Sequence, residues 1–206
     1  MDITMKRFKQ SSLLILISIF LSIGIAKSQS KSDTCGIDGE AFQFKHGQFR
    51  GCTYTGQWGN CSLYGEGKMV YTNGEIYQGS WVNSKREGHG IIKYPDGGYY
   101  DGQWLNNKPE GQGKLTWSKG TYEGQFHDGR IEGYGTCTWT NGETYTGQWK
   151  NSQKDGHGTH TFDNGDKYDG YWKNGQKHGR GVYKSANGNL FDEEWEYDRR
   201  IVRKKR

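Results

Sequence analysis

Aliphatic side chains are scarce in this 206-residue sequence, and prolines number only two. Hydrophobic residues make up 31% of the chain, and aromatic residues alone account for 15%. The densest run of Leu and Ile lies before residue 27, so the remainder cannot assemble a globular core from aliphatic residues. Low hydrophobicity is also typical of disordered chains, but such chains are poor in aromatic residues. The shortage therefore excludes a compact aliphatic core without indicating disorder.

Glycine and large rings are abundant instead. The sequence contains 33 Gly, 14 Tyr and 8 Trp residues. A glycine exposes bare backbone, against which another chain segment or a ring can approach closely. This composition favours a thin, elongated β structure over a sphere.

The formal net charge of +5 is unevenly distributed along the chain. Residues 27–198 carry 19 basic and 22 acidic side chains, so this region is mildly acidic. Residues 199–206 carry six basic side chains and no acidic one. Positive charge that would attract an anionic partner is therefore concentrated in that last segment.

Residues 1–26 have the pattern of a secretory signal peptide. Three basic residues precede the apolar run 13–21, and small residues follow at Gly24 and Ala26. As a helix, these roughly 14 apolar residues would span about 21 Å, which is less than the roughly 30 Å core of a bilayer. We therefore expect cleavage near Ala26 and export to a secreted, periplasmic or cell-envelope location. An uncleaved membrane anchor is the alternative.

The rest of the sequence repeats with a period of 23 residues, with one block of 22. Six blocks begin at residues 54, 77, 100, 122, 145 and 168, and each opens with Tyr-x-Gly-x-aromatic, followed by Gly-x-Gly, a strand-like stretch and a turn glycine. Self-similarity at a fixed period indicates a repeat architecture. The repeat-defining residues are Tyr54, Gly56, Trp58, Tyr77, Gly79, Trp81, Tyr100, Gly102, Trp104, Tyr145, Gly147, Trp149, Tyr168, Gly170 and Trp172.

One turn fixes the predicted register of the hairpins. In Tyr94-Pro95-Asp96-Gly97-Gly98, proline suits the first central position of a type I turn and glycine suits the left-handed position that follows. This predicts a three-residue loop with a glycine bulge, because proline lacks the N–H that a two-residue loop needs for pairing. The tyrosines and tryptophans then share one face of the sheet, opposite a polar face. The predicted cross-strand pairs are Ile92 with Tyr100, Gly90 with Gly102 and Gly88 with Trp104.

The succession of Tyr-x-Gly-x-Trp, Gly-x-Gly and Asn/Asp-Gly resembles the MORN repeat family (membrane occupation and recognition nexus) over residues 49–197. The resemblance implies an all-β, elongated, twisted antiparallel sheet of consecutive β-hairpins. Members of the family serve mainly as scaffolds and binding modules and are sometimes dimeric, so a homodimer is compatible with it. Residues 27–48 are then a linker and N-terminal cap, and residues 198–206 a basic tail. An acidic final strand at 191–195 is expected to guard the sheet edge.

Four cysteines in an exported chain could form two disulfides. Cys137 occupies a slot that holds Met, Ile or Leu in earlier blocks, and strand counting puts it more than about 20 Å from the first block, so a buried free thiol is predicted. Cys35, Cys52 and Cys61 lie around the N-terminal cap. A Cys52–Cys61 disulfide is favoured, with Cys35 as a competing partner.

No group of catalytic or metal-binding residues stands out from the repeats. His157 and His160 lie three positions apart, and such residues point to opposite faces of a strand, so no metal site is predicted. Nucleophile–base pairs, phosphate-binding loops and paired catalytic carboxylates are not recognisable in the sequence. We expect no enzyme activity, no catalytic residue and no cofactor.

The sequence therefore predicts a non-catalytic, exported scaffold or interaction module with an unidentified protein partner. Connecting loops at 82–87, 105–110, 127–132 and 150–155 would line one edge as candidate contacts. The alternative is binding to an anionic membrane surface or polyanion, at about 1 kcal/mol per basic residue; a frayed terminus is the simpler interpretation of the same residues. Nucleic acid is not an expected partner of an exported chain. The basic residues concerned are Arg199, Arg200, Arg203, Lys204, Lys205 and Arg206.

Overall fold

A computed structural model describes residues 36–206, so the predicted signal peptide at 1–26 and Cys35 lie outside the described residues. The chain divides into two units, the first ending at Ser118 and the second spanning Lys119–Arg206. Within each unit, every strand pairs antiparallel with the strands next to it in sequence. This confirms the predicted all-β fold of consecutive hairpins.

The strands are regular in length, most of them seven to ten residues. Those of the first unit are β1 (Ala41–Gln43), β2 (Thr53–Gly59), β3 (Ser62–Val70), β4 (Ile76–Val82), β5 (Lys85–Lys93), β6 (Tyr99–Leu105) and β7 (Lys108–Trp117). Those of the second unit are β8 (Gly120–His127), β9 (Arg130–Trp139), β10 (Thr144–Lys150), β11 (Gln153–Thr161), β12 (Lys167–Lys173), β13 (Gln176–Lys184), β14 (Leu190–Glu196) and β15 (Arg199–Lys205).

The turn between β5 and β6 has the predicted geometry. The Tyr94 N–H donates to Gly98 O at 2.8 Å, and the Gly97 N–H donates to Tyr94 O at 3.0 Å. Gly97 takes the left-handed conformation with φ 87°, which glycine adopts without steric cost. The register that this turn predicts is confirmed at all three positions: Ile92 pairs with Tyr100, Gly90 with Gly102 and Gly88 with Trp104.

The segments predicted to be connecting loops are mostly strand, and that prediction is wrong. β4 ends at Val82 and β5 begins at Lys85, so only Asn83 and Ser84 form the turn. Both residues have positive φ, 49° and 60°, as a tight two-residue hairpin turn requires. Asn tolerates this conformation better than most residues, and the same pattern returns at Asn106-Asn107 and Asn151-Ser152.

These tight turns also join consecutive hairpins. The Ser84 N–H donates to Leu63 O at 3.0 Å, and the Leu63 N–H donates back to Ser84 Oγ at 3.1 Å. In the second unit, Ser152 makes the same pair of hydrogen bonds with Ile131, at 2.9 Å and 3.2 Å. Each turn therefore satisfies backbone groups of the preceding hairpin, which are buried beside it.

The face that carries the opening tyrosines, here called the tyrosine face, forms the core. All six opening tyrosines are completely buried, and the hydroxyl of Tyr100, for example, donates to Gln103 O at 2.9 Å. The ring lies on paired glycines, since a Cβ at Gly113 would sit 2.5 Å from Tyr100 Oη. Burial is the main reason why the pKa of the Tyr54 phenol is raised to about 12.

Tryptophans connect the tyrosines of neighbouring hairpins. Trp104 packs edge-to-face on Tyr100 of its own hairpin, with ring centroids 5.2 Å apart, and on Tyr77 of the preceding one, at 5.3 Å. Its indole Nε1 donates to Gly90 O at 2.8 Å. Trp149 and Trp172 repeat this hydrogen bond in the second unit. Trp104 therefore contacts the backbone of the preceding repeat, whereas Tyr100 lies on glycines of its own repeat.

The segment predicted to be a basic tail forms a full strand. Residues of β15 pair with β14 from Lys205 opposite Phe191 to Arg199 opposite Glu196. The acidic strand β14 is therefore not the last strand, and the prediction that it guards the sheet edge is wrong. The reason lies in the repeat, because Arg200 follows Lys177 at the 23-residue spacing and continues the array.

Candidate interaction surfaces

The face opposite the tyrosine face, here called the outer face, is mainly polar and exposed. Large exposed rings and aliphatic side chains of strands β2 to β14 lie on it, because they alternate with the buried residues of the same strands. They are Tyr64, Val70, Val82, Leu105, Tyr134 and Tyr171. Tyr134 and Tyr171 are the most prominent in the second unit, with 59% and 54% of their surface exposed.

Glycine bulges and glutamine side chains position the outer face of the second unit. Gly133 has φ 70°, and the freed N–H of Tyr134 donates to Gln125 Oε1 at 2.8 Å. One hairpin further on, the His157 N–H donates to Gln148 Oε1 at 2.7 Å. Tyr134 and His157 occupy equivalent places, and a glutamine amide holds the backbone beneath each of them.

His157, Asp169 and Tyr171 form a connected group on this face. His157 Nε2 lies 3.5 Å from Asp169 Oδ1, and the Thr159 hydroxyl donates to the same oxygen at 2.8 Å. The ring of His157 packs edge-to-face on Tyr171 at 5.3 Å. In the first unit, His89 and Asp101 make an equivalent contact at 2.9 Å.

An open groove of about 810 Å³ lies on the outer face of the second unit. Its lining combines acidic, basic and aliphatic side chains and includes His157, Arg180, Val182, Glu194, Val202 and Lys204. Such a mixed surface, with exposed tyrosines nearby, has the composition of a non-obligate protein interface. The outer-face tyrosines are not repeat-defining residues, since they stand where other blocks carry Gln, Ser, Glu, Asp, His or Arg. That departure from the repeat is the signal that would reveal them.

The six basic residues predicted to bind an anionic surface are divided between the two faces. Opposite residues of paired strands share a face, so Arg203, paired with Glu193, lies on the tyrosine face, and Lys204, paired with Asp192, lies on the outer face. Several of the six already contact acids: Arg206 Nη2 lies 2.6 Å from Asp192 Oδ1, and Arg199 pairs with Glu196. The hydrogen bond from Arg206 is the main reason why the pKa of the Asp192 carboxyl lies below its usual value.

Glu193 is the centre of the contact between β14 and β15. It stands where earlier hairpins carry glycine, and it is only 3% exposed. Arg200 Nη1 lies 3.5 Å and Arg203 Nε 3.4 Å from its Oε1, and Trp195 Nε1 donates to its Oε2 at 3.0 Å. These donors border a cavity of about 320 Å³ on the tyrosine face. Arg200 and Arg203 of the same chain therefore balance the charge of the Glu193 carboxylate.

A second polar cluster lies inside the core at Lys154. Its ammonium group is within 5 Å of the ring centroids of Trp139, Tyr145 and Trp172, at 4.8, 4.9 and 4.5 Å. Lys154 Nζ lies 3.3 Å from His160 Nδ1, and His160 Nε2 lies 3.2 Å from Glu143 Oε2. Burial lowers the pKa of Lys154 to about 8. The three rings around the amine let the cluster strengthen packing through cation–π contacts.

The cysteines differ from the prediction in one respect. Cys137 is a free thiol with 0% exposure, as predicted, and burial raises its pKa to about 12. Cys52 is also free and buried, whereas Cys61 is disulfide-bonded. The predicted Cys52–Cys61 bridge is therefore wrong. The seven residues of β2 separate the two by about 23 Å, far beyond the roughly 7 Å that a disulfide allows. The competing partner, Cys35, lies outside the described residues.

Two further features are absent from the described residues 36–206. Within them, no cluster of His, Cys, Asp and Glu has the arrangement of a metal site. In the same part of the chain, no helix has the length and apolar character needed to cross a bilayer.

The fold and its surfaces define a class of protein: a β-hairpin repeat array in which one face is packed and the other is open to contacts. Five consecutive repeats at residues 77–99, 100–121, 122–144, 145–167 and 168–190 match the MORN repeat. The chain belongs to the MORN repeat family.

Comparisons with other proteins add little to this assignment. Among curated proteins, none matches the sequence. The TCP domain of Drosophila melanogaster SAS-4 (dCPAP), in complex with a proline-rich motif of Ana2, is 15% identical, over 68% of this chain and 85% of that one, with a TM-score of 0.37. The TCP10 domain of Danio rerio CPAP, in complex with a STIL peptide, is 12% identical over 76% and 90%, with a TM-score of 0.25. At such low scores, no property of these domains is transferred to this chain.

Proposed function

We propose that the chain is a non-catalytic interaction module that binds a protein partner through the outer face of its second unit. The observation that supports this is that the rings of the two faces have different surroundings. The rings of the tyrosine face are used in intramolecular packing, while Tyr134 and Tyr171 stand exposed on the outer face. Membership of a repeat family supports the same function, since repeat arrays provide large binding surfaces.

The chemistry of the outer face indicates what kind of partner fits. Tyrosine and arginine contribute strongly to the binding energy in many protein interfaces. Arg180 lines the groove, and Tyr171 packs against His157, another lining residue. The groove also carries acids such as Glu194, so its charges are mixed. A folded or extended protein segment with both polar and apolar side chains suits this surface better than a strongly charged polymer does.

Site-specific crosslinking tests the proposal. A benzophenone amino acid replaces Tyr171 in the full chain, expressed in the cells that produce it, and the same residue replaces Asn141, an exposed turn position of the same unit, as a control. We expect a discrete adduct with one partner at position 171 only, weakened by the additional substitution Arg180→Glu. Adducts that are absent at position 171, or identical at both positions, would contradict the proposed surface.

We also propose that this binding takes place outside the cytoplasm. The motivating observation is the signal-like sequence of residues 1–26, and the disulfide-bonded state of Cys61 supports it because disulfides persist in oxidising compartments. N-terminal sequencing of the mature protein is the test, and we expect it to begin near Lys27. A mature chain that retains Met1 or Met5 would contradict cleavage.

A further inference from the structure

The last strand of the second unit has one edge paired and one edge open. β15 pairs with β14 along its length, and among the described residues 36–206 no strand pairs with its other edge. All seven residues of β15 are exposed. A strand of this length presents about 23 Å of backbone edge, whereas the strand at the other end of the array, β1, has only three residues.

The register identifies which backbone groups point away from β14. The Arg206 N–H donates to Leu190 O at 3.0 Å, and Lys205 lies opposite Phe191. In an antiparallel pair, the N–H and C=O of alternate residues face the partner strand, so those of Lys204 face β14. The N–H and C=O groups of Arg203 and Lys205 therefore point toward the open edge and are available to a further strand.

The charge of β15 selects the strand that can be added. Five of its seven residues are basic, and the two others are Ile201 and Val202. Charged residues on an edge normally prevent association with other strands. This protection acts against neutral or basic strands and against a second copy of β15, which would bring like charges together. An acidic strand is attracted instead.

The fold already contains one acidic strand bound to β15. β14 carries four acidic residues among its seven. Arg200 and Arg203 of β15 contact Glu193, and Arg206, directly after β15, contacts Asp192. Lys204 and Lys205 form no direct ion pair with an acid of the described chain. We propose that the open edge of β15 binds an extended acidic segment of another protein by strand addition, with acidic residues on the face of Arg203 and Lys205 alternating with β-branched residues on the face of Val202. This site borders the outer-face groove, which Val202 and Lys204 of β15 help to line, but strand addition uses backbone groups of the edge and does not require the proposed function.

Fluorescence anisotropy tests the proposal with the full chain and a labelled seven-residue peptide of alternating Glu and Val. The comparison peptides are the same sequence with alternate amides N-methylated, which keeps the charge but removes the edge hydrogen bonds, and a Lys/Val version. We expect the acidic peptide to bind and the N-methylated one to bind roughly tenfold or more weakly. The Lys/Val peptide should not bind. Equal affinity for the acidic and N-methylated peptides, or no binding of the acidic one, would overturn strand addition.

Two variants at one position separate backbone from charge. Lys205→Pro removes an outward N–H at a place where an edge strand tolerates proline, and Lys205→Gln removes only the charge. We expect the proline variant to lose about tenfold more affinity for the acidic peptide than the glutamine variant; identical losses would count against the model of strand addition.

Hydrogen exchange of the unmodified chain gives a measurement that needs no variant. The Arg203 and Lys205 amides should exchange rapidly without peptide and slowly with it. Protection of these amides before any peptide is added would show that the edge is already occupied, by a second copy or another segment, and would overturn the proposal. Crosslinking at position 171 is unaffected by any of these outcomes.

Discussion

Individual glycines in this fold are required by the rings that lie on them. At Gly113, an added Cβ would sit 2.5 Å from both Cε2 and Oη of Tyr100, which is completely buried. The ring cannot move aside, because its hydroxyl donates to Gln103 O and Trp104 packs against it. The repeated Gly-x-Gly of the sequence therefore encodes a packing surface for tyrosine.

The variant Gly113→Ala should lower the free energy of unfolding by about 1–3 kcal/mol, the usual cost of overpacking a core. Urea unfolding followed by tryptophan fluorescence measures the effect. Gly142→Asn is the matched control, since a Cβ there meets nothing within 4 Å and Asn tolerates its φ of 87°. A Gly113→Ala chain as stable as the original would contradict the packing of Tyr100 on this glycine.

Lys154 contributes a pH dependence to stability. Burial lowers its pKa from 10.5 to about 8, so between these pH values the unfolded chain binds more protons at this residue than the folded chain does. Stability from this residue therefore rises with pH through that window. Across this window, the contribution of Lys154 to the free energy of unfolding should change by roughly 1–3 kcal/mol. The cation–π contacts with three rings favour the charged amine and so oppose the effect of burial.

Lys154→Met removes this titration, so the stability of the variant relative to the original chain should fall between pH 7 and about pH 9.5. Urea unfolding at a series of pH values measures it. The tyrosines, whose pKa values burial also raises, are the same in both chains and cancel in the difference. Lys150→Met, at an exposed residue of β10, controls for the loss of one positive charge. A difference that stays constant, or grows in favour of the variant, would contradict the lowered pKa.

At the scale of strands and turns, the β14–β15 pair depends on one buried acid. Glu193 is 3% exposed and accepts from Trp195 while lying beside two arginines, Arg200 and Arg203. Without them, its charge would be left in a poorly solvated place, and removing the partners of a buried charged acceptor costs about 1–3 kcal/mol or more. The two arginines are partly exposed, which keeps the expected cost at the lower end.

The double variant Arg200→Gln/Arg203→Gln should therefore lower the urea midpoint and speed hydrogen exchange in β15. Adding Glu193→Gln should restore part of the loss, since a neutral amide does not need the arginines. The coupling energy follows from a cycle of four proteins: the original chain, the arginine double variant, Glu193→Gln alone and their combination. If Glu193→Gln brings no recovery, the arginines stabilise β15 by packing on the rings of Phe191 and Trp195 rather than through the carboxylate.

The sequence predicts those strands and turns whose geometry depends on residues close by in the chain. Pro95 fixed the register of β5 and β6 because proline excludes one of the two loop types. The tight turns were missed since Asn and Ser hold positive φ there, and their partners, such as Leu63, lie a full hairpin away. β15 was missed because its basic residues hide the repeat, although Trp195 and Arg200 follow Trp172 and Lys177 at the regular spacing. The outer-face site was missed because its tyrosines do not recur, and only their departure from the repeat marks them.

At the scale of the whole molecule, the arrangement of charge limits how it can meet an anionic surface. A flat membrane contacts one face at a time, and the six basic residues of 199–206 are divided between two faces. Those on the outer face include Lys204 and Arg206, and Arg206 is already paired with Asp192. The outer face carries three of the six, Arg199, Lys204 and Arg206. At about 1 kcal/mol per charge they would give at most roughly 3 kcal/mol, which corresponds to binding weaker than millimolar.

We therefore expect residues 27–206, which lack the apolar run 13–21, to remain in the supernatant when sedimented with phosphatidylserine-rich vesicles at about 0.15 M salt. The matched control is a free peptide of residues 199–206, which carries the same six charges without the acids of β14 and can turn them all toward the surface. The peptide should bind the vesicles more strongly than the folded chain does. If the folded chain pellets as well as the peptide, and Lys204→Gln with Lys205→Gln abolishes this, then the edge of β15 binds lipid, and the ion pairs with β14 do not neutralise it.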